Sequence, residues 1–158
     1  MLPSRPRILV DHSLGRVAMP AFFRGEGFET TTILELFGRT DVPDVEWIRK
    51  AGELGMVVAH KDARIRYRPV ERQAVVDARL RMLCLTSGNL TASEQVDCFR
   101  INLKRIEKWW DKPGPWILAI RKSGVEQLDL SDKMPDLEER AARRAERAPP
   151  RLLDHPAW

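Results

Sequence analysis

A chain of 158 residues is enough for one domain with a core of useful size and does not require a second. Its 27 Lys and Arg against 23 Asp and Glu give a net charge of +4 and a pI near 9.4, which permits a polyanionic partner without demanding one. Cys84 and Cys98 lack a CxxC spacing, which argues against a zinc site and reads as two reduced core thiols; with no signal-peptide core and no apolar run near the ~20 residues of a membrane span, the expectation is a soluble cytoplasmic protein with no membrane partner.

The first predicted element is Ile8-Leu9-Val10, an apolar run that ends abruptly in Asp11-His12-Ser13-Leu14-Gly15 and reads as a buried strand. Val17 to Gly27 reads as a short helix, and the β-branched run from Phe28 to Ile33 as a second strand, parallel to the first because a helix connects them. A loop is expected from Glu35 to Pro43. Asp41 and Asp44 both suit a helix start, and Val45, Ile48 and Ala51 give that helix one apolar stripe before Gly55 stops it. Met56-Val57-Val58-Ala59 is a third buried strand, with His60-Lys61-Asp62 leaving its carboxyl end.

Pro69 begins a helix reaching about Arg79, and Met82 to Thr86 is strand four. Thr91-Ala92-Ser93-Glu94 is a capping box, opening a long helix whose face carries Val96, Phe99, Leu103, Ile106 and Trp110. Trp116 to Ile120 is the last main strand, turned by Ser123-Gly124 into an edge hairpin with Val125 to Leu130. The result is an α/β fold in three layers, α/β/α, around a mainly parallel sheet. Residues 1–130 form the domain; residues 131–158, with six acids and six bases among many alanines, read as a charged, helical tail.

Asp11, Asp44 and Asp62 are the chemical signal, because the pattern puts all three at the carboxyl edge of the sheet, where open α/β folds bind ligands. Three carboxylates meeting there repel by several kcal/mol unless a cation lies between them. Mg²⁺ or Mn²⁺ suits such an oxygen set and leaves coordination positions for water and phosphate, which implies phosphodiester hydrolysis by metal-activated water. Lys61, Arg64, Arg66, Arg68 and Arg72 follow the third acid, placed to grip scissile and flanking phosphates, with Tyr67 among them to stack a base. Asn89, at the exit of strand four, is a candidate for positioning water or substrate. His12 and His60 read as polar lining without a catalytic role, and Trp109, Trp110 and Trp116 as core and interface.

The runs Val10-Asp11-His12-Ser13-Leu14-Gly15, Pro43-Asp44-Val45-Glu46-Trp47, Lys61-Asp62-Ala63-Arg64-Ile65-Arg66 and Leu85-Thr86-Ser87-Gly88-Asn89-Leu90 resemble the compact PIN-like domains of VapC-type toxins. That resemblance, over roughly Arg7 to Ile120, implies a metal-dependent ribonuclease of a toxin-antitoxin pair, neutralised by a cognate antitoxin. It implies Asp11, Asp44 and Asp62 as catalytic metal ligands. Full-length PIN domains carry a further glutamate that the chain lacks, for which Glu35 and Glu46 are the available substitutes, and Glu46 is taken as the additional metal ligand. The edge hairpin and tail are the surfaces expected to serve docking or self-association into a homo-oligomer. Two other readings fit the layout: a catalytically inactive PIN-like module that binds RNA or protein, and a phospho-acceptor receiver-like domain with Asp11, Asp62, Thr86 or Ser87, and Lys122 in its key positions.

Overall fold

The computed structural model describes residues 5–130. Six strands form one sheet: β1 Ile8–Val10, β2 Thr30–Thr32, β3 Val57–His60, β4 Arg81–Leu85, β5 Trp116–Arg121 and β6 Gly124–Leu128. They lie in the order β2-β1-β3-β4-β5-β6, with β1 to β5 parallel and β6 antiparallel to β5. The central strands read as unbroken apolar runs because both faces of the sheet are covered.

Alternation along the strands separates two cores. Ile8, Val10, Val57, Ala59, Leu83, Leu85, Leu118 and Ile120 face one layer, made by α1 (Ala18–Gly25) through Met19, Phe22 and Phe23 and by α5 (Ala92–Glu107) through Phe99 and Ile106. Leu9, Val58, Met82, Cys84, Ile117 and Ala119 face the other, made by α2 (Ile33–Phe37), α3 (Asp44–Glu53) and α4 (Pro69–Asp77) through Ile33, Trp47, Ile48, Ala51 and Val75. Phe23 sits in an edge-on aromatic cluster with Phe22, Phe28 and Phe99, centroids 5.2–6.0 Å away, that seats α1 against α5. The three-layer α/β/α expectation holds.

Several boundaries differ from the sequence reading. Residues 33–37, expected as strand end and loop, form α2 because the Thr32 hydroxyl accepts the Glu35 N–H at 3.2 Å and Gly38 closes the turn at φ 75°. The long helix stops at Glu107 rather than reaching Trp110, and Trp109 and Trp110 pack against the first core from the turns that follow. Short 3₁₀ turns at His12–Leu14 and Ala63–Tyr67 were not foreseen. The β5–β6 hairpin is present, paired from Ile117 with Leu128 to Arg121 with Gly124, but β5 lies inside the sheet, so of the two strands β6 alone is an edge, opposite the other edge strand β2. Both cysteines are free and buried. The helical-tail reading of 131–158 lies outside the described residues.

Candidate carboxylate site at the carboxyl edge of the sheet

The chain passes from β1 outward to β2 and then back across β1 to β3, so β1 and β3 are neighbours at the point where strand order reverses. In open α/β sheets the carboxyl ends of the strands at such a point are where ligands sit. Asp11 follows β1 directly, and Asp62 stands two residues past β3. Each then starts a 3₁₀ turn by the same device: Asp11 Oδ2 accepts the Ser13 N–H at 3.1 Å, and Asp62 Oδ1 accepts the Arg64 N–H at 3.0 Å. The Lys61 N–H donates to Ser13 Oγ at 3.2 Å, tying the two strand ends together. Asp44 is the first residue of α3, after Pro43, and its Oδ1 accepts the Trp47 indole N–H at 3.0 Å.

His60, the last residue of β3, stands among the three acids. Its Nδ1 accepts the Asp62 N–H at 2.8 Å, and its Nε2 lies 3.7 Å from Asp11 Oδ2. The Trp47 ring lies against it, centroids 5.2 Å apart. Burial lowers the His60 pKa, opposed by the charges of Asp11, Asp62 and Asp44 and assisted by His12. A neutral ring with Nδ1 as acceptor carries its proton on Nε2, facing Asp11.

Arg68 supplies the positive charge. Its Nη1 is 3.0 Å from Asp62 Oδ2 and 3.5 Å from Asp44 Oδ2, so one guanidinium spans two of the acids. Burial pushes the Asp62 carboxyl up, but the Arg64 hydrogen bonds and the charges of Arg68 and Arg64 outweigh it and hold the group below its ordinary range. Among the described residues no three His, Cys, Asp or Glu side chains are arranged to enclose a metal ion.

The remaining candidates divide. Arg64 is 67% exposed at its side chain, with Nε 3.2 Å from Asp62 Oδ1, and Lys61 is partly exposed beside it. Arg66 lies over the Tyr67 ring at 4.4 Å and bonds to its hydroxyl, and Tyr67 is buried. Tyr67 is therefore no stacking platform for a base, a correction to the sequence reading: its ring is already covered. Glu46 is drawn to Arg39, whose Nη2 is 3.1 Å from both carboxylate oxygens, and Glu35 pairs with Arg24. With Asp44 helical, Glu46 projects about 200° round α3 from it. Asn89 is exposed, in a left-handed turn at φ 55°.

Trp47 is the site residue that sequence reasoning passed over, and His60, expected as polar lining, is found buried there and bonded to the Asp62 backbone. The available signals were a histidine closing an apolar strand two residues before Asp62, and a tryptophan three positions after Asp44, on the same helix face.

No helix among the described residues is long and apolar enough to cross a membrane. No solved structure matches the chain significantly. VapC45 of Mycobacterium tuberculosis, a protein named as a ribonuclease, is 34% identical over 128 residues, covering 79% of this chain and 93% of its own length. The family described as "PIN like domain" matches residues 6–87, just over half of the chain and the part that holds β1 to β4 with Asp11, Asp44 and Asp62. On both grounds the chain belongs to the PIN-like domain family, in its VapC type.

Proposed function

We propose that the protein is a VapC-type toxin that hydrolyses RNA phosphodiester bonds with Mg²⁺ or Mn²⁺ and is neutralised by a cognate antitoxin. The observation that carries the reading is the gathering of Asp11, Asp44 and Asp62, from three separate elements, around buried His60 and the spanning cation of Arg68. Family membership sets aside the receiver-like alternative. The donor chemistry fits a hard divalent ion: carboxylate oxygens at an open edge, in a place already favourable to positive charge. Asp11, Asp44 and Asp62 would hold the ion, and when bound it would supply an activated water and charge neutralisation at phosphate.

The chain's own residues do the rest. Arg64 and Lys61 border the acids and face solvent, suited to holding flanking RNA phosphates. Arg68 joins them once it leaves Asp44 and Asp62. Arg66 is committed to Tyr67 and supports the 3₁₀ turn that presents its neighbours. Residues 1–130 act as the nuclease domain, with 131–158 available to a protein partner. An antitoxin would place a basic group where Arg68 now stands, so antitoxin and metal would compete.

The same Arg68 bridge, together with the engagement of Glu46 by Arg39, favours a second reading, a binding module without cleavage. A cleavage assay on total RNA separates the two. The proposal expects Mg²⁺-dependent cutting that Asp11→Asn or Asp62→Asn lowers by at least about 10²-fold with the fold retained. Metal-independent cutting, or none under any divalent ion, contradicts it.

A further inference from the structure

The three acids arise from different elements, and one line of buried contacts joins them. Trp47 and His60 are 1% and 3% exposed. The Trp47 indole N–H fixes Asp44 Oδ1, the indole ring lies against His60, and His60 fixes the Asp62 backbone through Nδ1 while turning Nε2 to Asp11. A buried indole N–H needs an acceptor, and Asp44 is the one it has. That bond restrains a carboxylate that is otherwise about one-third exposed and drawn toward Arg68. Neither side chain reaches solvent far enough to meet RNA, so each acts through the acids it holds.

We propose that Trp47 and His60 form a single positioning unit, which sets the mutual orientation of Asp11, Asp44 and Asp62 for a divalent ion; this rests on the metal-dependent reading above. Hydrogen-bonding groups behind metal ligands typically change affinity by about 10–100-fold when removed. Trp47→Phe keeps a ring against His60 and deletes the N–H. His60→Asn keeps an acceptor near the Nδ1 position for the Asp62 N–H, whereas His60→Leu keeps none.

The test is a Mn²⁺ titration of the full chain, followed by the electron paramagnetic resonance signal of free Mn²⁺. Trp47→Phe and His60→Leu should each weaken Mn²⁺ about tenfold or more, and His60→Asn should recover part of the loss. In the parent, the Trp47 indole N–H signal should shift on Mg²⁺ addition with the midpoint of metal binding, a readout that needs no altered protein. Mn²⁺ binding that depends on Asp11, yet is unchanged in Trp47→Phe and His60→Leu with a stationary indole signal, overturns the positioning role alone. Mn²⁺ binding that Asp11→Asn leaves intact overturns the reading of the site itself, and this unit with it.

Discussion

Arg68 is the side chain through which the resting charge balance of the site is set. Its guanidinium neutralises Asp44 and Asp62 together, so its loss leaves two carboxylates facing each other. Arg68→Gln should therefore destabilise the metal-free protein by about 1–3 kcal/mol, between the effects of exposed and buried pairs. It should also enlarge the rise in melting temperature on adding Mn²⁺, and an unchanged Mn²⁺ response in calorimetric scans would argue against Arg68 holding the cation position. Cys84 gives a pH prediction. Burial, aided by Asp62, pushes its thiol from 9.0 to about 12, against the pull of Arg66 and Arg121. Above pH 9 the unfolded chain releases this proton while the native chain keeps it, so the contribution is complete below pH 9 and is lost as pH rises toward 12. Cys84→Ala should lose less melting temperature than the parent between pH 8 and pH 10. At this scale the acids were legible from the sequence, Asp11 and Asp62 as breaks after apolar runs and Asp44 as a helix start beside Pro43. The roles of Arg68, His60 and Trp47 were not, because they depend on contacts between elements.

At the scale of elements, α3 matters because it carries both Asp44 and Trp47. Its far end is seated on α4 through Gly52: a Cβ there would lie 2.7 Å from both the Cβ and the carbonyl oxygen of Ala78. Gly52→Ala should push the helices apart and cost about 1–3 kcal/mol in denaturant unfolding, whereas Gly88→Ala, with open space around it, should cost far less. Equal midpoints for the two would mean that α3 is not tightly seated. The strands were readable because double-sided burial leaves unbroken apolar runs. The missed helix α2 had its signal in Thr32 and Glu35, three apart in a capping arrangement, but the three consecutive threonines favoured a strand reading. The 3₁₀ turns after β1 and β3 left no periodic trace, as each is a side-chain bond from one aspartate.

For the whole molecule, parallel pairing and the three layers followed from alternating strand and helix patterns, while the strand order did not. Placing β3 rather than β2 on the inner side of β1 is what brings Asp11 and Asp62 to neighbouring strand ends, and only the fold decides it. The central claim is that this edge of the sheet takes a divalent ion on Asp11, Asp44 and Asp62 in exchange for Arg68. Anomalous diffraction from a crystal of the full chain soaked in Mn²⁺ tests it most directly. The account predicts a peak bonded to oxygens of those three aspartates, at about 2.1–2.3 Å, with Arg68 withdrawn. A crystal saturated with Mn²⁺ that shows no peak there, with Arg68 still spanning Asp44 and Asp62, would contradict it.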